Sequence, residues 1–195
     1  MRSDSTGAAP TSPPISSECW PSASVRSAAR TRPAVRLALI ADTHLPRGNR
    51  RLPDPCLGVL RAADLIVHAG DLSDVSVLAE LRELGRVAAV HGNVDSSKLR
   101  RELPESLSLD LNGVTLGVIH DAGPAKGRLE RLRARFPDAD AVVFGHSHMP
   151  LHEEREGFQI FNPGSPTERR RAPHRSMGEA TIAGPRIELR HLTLP

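Results

Sequence analysis

Val142 to His148 reads Val-Val-Phe-Gly-His-Ser-His, an apolar run that passes directly into two histidines separated by one serine. A short apolar run bounded by turn residues reads as a buried strand. Imidazoles two positions apart just past a strand end can point into one cavity while the strand fixes their backbone. Glycine at 145 lets the chain turn sharply with no Cβ in the way. A surface loop with two ordinary histidines would look the same, so the company the stretch keeps decides its reading. Four other apolar runs each end in side chains able to ligate a divalent metal: Asp42 and His44, Asp71, Asn93, and His120.

Working outward, Val35 to Ala41 is a continuous apolar run broken only by Arg36, read as a buried strand. Arg47 to Pro55 is a loop and Cys56 to Ala63 a short helix. Asp64 to His68 is a second strand, closing on Gly70-Asp71. Asp74 caps a helix through Leu84, with Val77, Leu81 and Leu84 on one face and Gly85 as its stop. Arg86 to His91 is a third strand, closing on Gly92-Asn93. Glu105 to Asp110 and Val114 to His120 form a hairpin over Leu111-Asn112-Gly113, because Asn-Gly between alternating runs favours a tight turn. Lys126 to Phe136 reads as a helix with Leu129, Leu132 and Phe136 inward, and Ala139 to Phe144 is the strand that delivers the histidine pair. Leu151 to Arg155, Phe158 to Asn162, Gly178 to Ala183 and Arg186 to Leu194 are further strands, the last two joined over Gly184-Pro185. Strands alternating with helices early and strands alone later suggest an α/β fold of two face-to-face sheets with helices outside. In such sheets ligands gather where the carboxyl ends of the strands emerge, and every candidate ligand sits at such an end.

The formal charge of +3 is weakly informative, since residues 35–195 carry 22 basic against 21 acidic side chains. A nucleic-acid footprint would need a clustered basic face, so nucleic acid is not indicated beyond a nucleotide as substrate. Residues 1–34 are rich in Ser, Pro, Ala and Thr without apolar periodicity, which predicts a disordered extension ahead of one domain over 35–195. An early start site, a transit peptide and a partner-binding tail are the readings of that extension. Cys19 and Cys56 make no disulfide framework, and no apolar run approaches a membrane span, so a reduced, cytoplasmic protein is expected.

Asp42, His44, Asp71, Asn93, His120, His146 and His148 comprise two carboxylates, one carboxamide and four imidazoles. A mixed nitrogen and oxygen set without thiolate suits Mn, Fe, Zn or Co and disfavours Ca, Mg alone or an iron–sulfur cluster. Seven ligands are too many for one ion, whereas two ions sharing a carboxylate would use them all. Singly, Asp42 would also serve as a loop cap, Asp71 and Asn93 as Asx-turns and His120 as a core histidine. Jointly, those alternatives must all hold at once.

In chain order, Asp42-Thr43-His44, Gly70-Asp71, Gly92-Asn93, His120 and Gly145-His146-Ser147-His148 resemble the five motifs of the calcineurin-like metallophosphoesterases. The closer similarity is to the small single-domain bacterial and archaeal phosphodiesterases, which share an Asn-Pro-Gly-Ser like Asn162 to Ser165. The resemblance implies a four-layer α/β sandwich and two divalent ions, Mn2+ foremost, with Fe, Zn, Co or Ni as the others. It assigns Asp42, His44 and His148 to one ion, Asn93, His120 and His146 to the other, and Asp71 to the bridge. A hydroxide bridging the two ions would attack a phosphodiester, with Asp71, Asn93 and His120 as the residues of catalysis. Many members of the wider superfamily carry a leaving-group histidine after the motif's Asn; here Val94 stands there. Losing a general acid typically costs about 10²- to 10⁴-fold, so activated diesters should be the better substrates. The alternatives are a noncatalytic metal-binding scaffold of the same fold and a phosphomonoesterase, and a homo-oligomer is compatible with each.

Asp95 and Asp121 are expected as carboxylate acceptors for the ligand imidazoles. His68 and His91, which precede the Gly-Asp and Gly-Asn elements, read first as packed strand histidines, with partners of the ligand residues as the alternative, and His152, His174 and His191 read as surface residues. Ser165 is expected to shape a turn. Arg169, Arg170 and Arg171 read as a solvated loop, with an electropositive lip for a phosphate-bearing substrate as the sharper alternative. Specificity is assigned to loops such as Arg47 to Pro55 and Arg169 to Arg175.

Overall fold

The computed structural model describes residues 33–48 and 50–195, so the expected disorder of the leading segment falls almost wholly outside the described residues, as does Cys19. Two five-stranded sheets carry the architecture. The first has the order β10-β9-β1-β2-β3, with β1 Val35–Ile40, β2 Leu65–Ala69, β3 Val87–Val90, β9 Arg175–Ala183 and β10 Arg186–Leu194. The second has the order β4-β5-β6-β8-β7, with β4 Ser106–Leu111, β5 Val114–Ile119, β6 Ala141–Val143, β7 Leu151–Arg155 and β8 Phe158–Asn162.

Strands β1, β2 and β3 run parallel, as do β5, β6 and β8. Alternation along the strands sorts their side chains to two faces. From β1 and the residue after it, Leu37, Leu39 and Ala41 meet Leu116, Val118, Val143 and Phe161 of the other sheet in a shared core. The opposite face, Ala38 and Ile40, packs beneath three helices: α1 Asp54–Ala62, α2 Val75–Leu84 and α3 Ser97–Glu102. Helix α4, Arg128–Arg135, covers the outer face of the second sheet through Leu129 and Leu132, which meet Val142 and Ile160. The result is the helix–sheet–sheet–helix layering expected. Each fully buried Leu or Phe contributes about 1.5–3 kcal/mol, so three apolar layers give the loops at one rim a rigid frame.

Local departures have local causes. Helix α1 starts two residues earlier than expected, because Pro53 and Pro55 are compatible with a helix N-terminus. Helix α4 starts at Arg128 rather than Lys126, since Gly127 sits in the left-handed region at φ +69°. Strand β9 begins at Arg175 instead of Gly178 because its first residues pair with the end of β10, Leu194 opposite Arg175. Helix α3 has too few turns to show apolar periodicity; its signal is Ser96, whose hydroxyl accepts from the Leu99 N–H. Asp74 caps α2 as expected, accepting from the Ser76 N–H. Asn112 and Gly113 both take positive φ in the β4–β5 turn. Cys56 is buried and free, its thiol pushed up to about 12 by burial. Among the described residues no helix is long and apolar enough to cross a membrane.

Candidate metal centre

Five loops converge at the carboxyl ends of β1, β2, β3, β5 and β6. The β1–β2 ladder continues past the strands, with N–H groups of Asp42, His44 and Leu45 donating to the carbonyls of Gly70, Asp71 and Leu72, each at 3.0 Å. The Gly145 N–H donates to the His120 carbonyl at 2.9 Å, joining the loops of the second sheet. Asp42, His44, Asp71, His146 and His148 all occupy positive φ, between 47° and 69°. That conformation costs a non-glycine residue roughly 1–2 kcal/mol, so such clustering marks a place where the surroundings dictate the backbone.

The side chains turn their lone pairs toward one another. His44 Nε2 lies 3.0 Å from His148 Nε2, with the two rings stacked. His148 Nε2 is 3.6 Å from Asp42 Oδ1. On the other side, His120 Nε2 lies 3.3 Å from Asp71 Oδ2 and 3.1 Å from Asn93 Oδ1. That same Asn93 oxygen is 2.9 Å from His146 Nδ1. Asp71 Oδ2 stands between the groups, 3.8 Å from His44 Nε2 as well as close to His120. Candidate ligand atoms of Asp42, His44 and His148 all lie within 4.8 Å of one another, and so do those of Asp42, Asp71 and His120. His146 and Asn93 are exposed and sit at the mouth, His146 reaching the cluster through Asn93.

This arrangement suits cations. His120 Nδ1–H donates to the Ala69 carbonyl at 2.8 Å, so in the neutral ring the lone pair of the other nitrogen faces two oxygens. His148 Nδ1–H donates to the Glu168 carbonyl at 3.2 Å, which leaves its Nε2 facing His44 and Asp42. Asp42 Oδ2 is buried without a hydrogen-bond partner among the described residues. Acceptors massed in a buried space repel unless protons or cations come between them. The pKa shifts record the same crowding. Burial raises the Asp42 carboxyl to about 7, with the charge of Asp71 adding to it and that of His120 opposing it. Burial also works against ionisation of Asp71, but hydrogen bonding and charge from His120 and the Val94 N–H overcome it, leaving about 2. For His120, burial is outweighed by Asp71 and Asp42, and its pKa is raised. His44 and His148 go down, through burial first and with the positive charge of Arg170 adding to it, His148 to about 4.

Several residues hold the loops without joining the cluster. Asp95 does not accept from an imidazole as expected; its carboxylate instead collects backbone N–H groups, from Ser73 at 2.6 Å, Gly92 at 2.7 Å and Asp71 at 3.2 Å. Asp121 is also corrected: it is exposed and accepts from the Gly123 N–H in an Asx-turn. His68 is wholly buried between two of the converging loops, its Nδ1 accepting from the Gly70 N–H at 3.1 Å and its Nε2 3.1 Å from the Thr43 hydroxyl. Ser165 donates to the Asp42 carbonyl, Thr167 to the Thr43 carbonyl, and the Asn162 amide to the Gly145 carbonyl. Ser165 also shapes the turn expected of it, accepting from the Thr167 and Glu168 N–H groups. The bonds of Ser165, Thr167 and Asn162 to the ligand loops reach backbone 17 to 124 positions away and leave no local sign in the sequence. His191 is half-buried rather than a surface residue, stacked on Phe161 with its Nε2 donating to the Asn162 carbonyl. Gly92 is required for space: a Cβ there would stand 2.1 Å from Asp71 Oδ1. Gly145 keeps a Cβ out of the way as expected, since one would lie 2.9 Å from the Ala69 carbonyl oxygen.

Residues 35–184 match the family model of the calcineurin-like phosphoesterase superfamily domain. A probable metallophosphoesterase of Methanothermobacter thermautotrophicus is 35% identical over 133 residues, 67% of this chain and 77% of that protein. One from Methanocaldococcus jannaschii is 35% identical over 134 residues, 67% and 68% respectively. Among solved structures, Vacuolar Protein Sorting 29 from Cryptosporidium parvum superposes with a TM-score of 0.73 at 22% identity, covering 83% of this chain and 92% of that one. A Thermotoga maritima protein solved by NMR gives 0.66 at 30% identity, covering 82% and 99%.

Proposed function

The chain belongs to the calcineurin-like phosphoesterase superfamily, and from that premise we propose that it is a phosphodiesterase working with two divalent ions, Mn2+ foremost. Asp42, His44 and His148 would hold one ion, Asn93, His120 and His146 the other, and Asp71 would be shared. Bound there, two such ions supply Lewis acidity toward phosphoryl oxygens and lower the pKa of water enough to give a nucleophile near neutral pH. The single observation that carries the reading is the convergence of Asp71 Oδ2 and Asn93 Oδ1 within 3.3 Å of His120 Nε2, on a ring whose Nδ1–H is already given to Ala69.

The chain's own groups set the rest of the chemistry. The Val94 N–H donates to Asp71 Oδ1 at 3.0 Å and so orients the carboxylate that would be shared. The Val94 side chain is exposed and has no proton to give a departing alkoxide. Leaving groups that need no proton are therefore favoured, which points to activated or phenolic esters.

The test is hydrolysis of bis(p-nitrophenyl) phosphate and p-nitrophenyl phosphate by metal-stripped protein before and after adding Mn2+, alongside calorimetric stoichiometry. Two ions per chain and metal-dependent turnover favouring the diester are expected. Two bound ions without turnover of either ester would leave a metal-binding scaffold instead.

A further inference from the structure

Glu168 touches the metal centre without belonging to it. Its backbone carbonyl accepts from His148 Nδ1–H, and its carboxylate lies between two guanidiniums, with Arg50 Nη2 3.5 Å from Oε1 and Arg170 Nε 3.6 Å from Oε2. Both distances are at or beyond the limit of a good hydrogen bond, and one carboxylate faces two cations. A guanidinium carries five N–H donors in a fork that matches phosphate and carboxylate oxygens. Arg50 Nη1 is buried and has no hydrogen-bond partner among the described residues. The charge of Arg170 reaches His44 and His148, and that of Arg50 reaches His44. Arg169 takes no part, since its Nη1 donates to the Pro173 carbonyl.

Space adjoins this excess of charge. Arg50 lines a cavity of 690 Å³ that begins at Leu45, the residue after His44, and continues along Leu52, Leu57 and Leu81. Arg50 and Arg51 bring positive charge to this cavity and Asp54, Glu80 and Glu83 negative charge, so an anionic group would be received at Arg50 alone, with an apolar body along the leucine wall.

We propose that Arg50 and Arg170 form a second anion subsite beside the metal centre, selecting phosphoesters whose second arm carries a further phosphate or carboxylate, with the apolar part of that arm along Leu45, Leu52 and Leu57. The substrate's oxygens take N–H groups that Glu168 leaves unused, and Glu168 keeps the two like charges together in the free protein. Selection among substrates rests on the phosphodiesterase reading; anion binding does not.

Two experiments separate the two. The first compares methyl p-nitrophenyl phosphate with a p-nitrophenyl diester bearing a terminal carboxylate on its second arm, in wild type and in the Arg50→Gln, Arg170→Gln double variant. The wild type should favour the anionic arm by about tenfold in kcat/KM, and the double variant should bring that ratio close to one. An equal ratio in both proteins overturns the subsite and leaves the phosphodiesterase reading intact. The second titrates metal-free protein with inorganic pyrophosphate in a calorimeter and judges the subsite even if neither ester is hydrolysed. Wild type should bind about tenfold more tightly than the double variant, and Glu168→Gln, which releases both guanidiniums, should bind more tightly still. Absent binding by wild type, or equal affinity in all three, overturns the proposal.

Discussion

Asp95→Asn tests the idea that the metal centre is held by a backbone clamp. Oδ2 of Asp95 accepts from Gly92 and Asp71, Oδ1 accepts from Ser73, and the side chain is buried. Hydrogen bonds to a charged acceptor contribute about 1.5–3 kcal/mol each. An asparagine oxygen in place of Oδ2 keeps two of the three bonds without their charge, while its amide group meets the Ser73 N–H donor to donor. The expected loss is about 2–3 kcal/mol, a large share of the roughly 5–15 kcal/mol that stabilises an ordinary domain. The clamp also orients the loops of Asp71 and Asn93, so affinity for Mn2+ should fall about 10- to 100-fold, the usual effect of removing a partner that orients a ligand. Urea unfolding of metal-free protein reads the first effect and calorimetric titration with Mn2+ the second. Stability within about 0.5 kcal/mol of wild type, a change typical of surface substitutions, together with unchanged affinity would refute the clamp.

Asp71→Asn should reduce ester hydrolysis by about 100-fold or more in a chain that still folds, at a urea midpoint lowered by the lost pairing with His120, because it weakens the ligand both ions would share; wild-type turnover would rule out the shared position. Burial, then the charge of His120, holds buried His68 at about 3 against an ordinary 6.5, with Asp71 opposing, so the unfolded chain takes up this proton first as pH falls. Stability present above pH 6.5 is therefore lost between 6.5 and 3, about 2 kcal/mol of it by pH 5. In metal-free protein, His68→Asn, whose amide oxygen can still accept from the Gly70 N–H, should flatten that part of the urea-midpoint profile; an unchanged slope would count against the assignment. Asp42 at about 7 and a raised His120 must both lose protons to bind metal, so Mn2+ affinity should weaken as pH drops from about 8 to about 6. Calorimetry in buffers of different ionisation enthalpy would count the protons released, and a count of zero would contradict the prediction.

The candidate ligand positions can be read from the sequence because each lies where an apolar run ends, and apolar runs report buried strands directly. Strand endings alone place Asp42 after β1, Asp71 after β2 and the His146–His148 pair after β6. What holds these residues cannot be read in the same way. Asp95 reads as a carboxylate for an imidazole, yet its partners are three backbone N–H groups drawn from two loops, and backbone leaves no mark in sequence. His68, just before Gly70-Asp71, reads first as a packed strand histidine, and the close approach of Thr43 and Gly70 decides for the alternative, a support of the ligand loops. The Arg50–Glu168 contact joins loops 118 positions apart, a separation across which neither charge run announces the other.

The candidate ligands need this support because their own conformations are unfavourable. Five of them sit at positive φ, at roughly 1–2 kcal/mol each, so their loops would relax toward ordinary geometry if released. Ser165 and Thr167 prevent that at Asp42 and Thr43, Asn162 at Gly145, and Asp95 at Asp71, each by a hydrogen bond to backbone rather than to a ligand side chain. Side chains are thereby left free to turn their lone pairs inward, and the backbone carries the strain. It follows that variants such as Ser165→Ala should weaken metal binding more than they weaken the fold, since the apolar layers do not depend on these bonds while the ligand geometry does. If Ser165→Ala instead lowered the urea midpoint with Mn2+ affinity unchanged, these contacts would be supports of the fold alone, and the strained loops would have to be held by the ladder between β1 and β2.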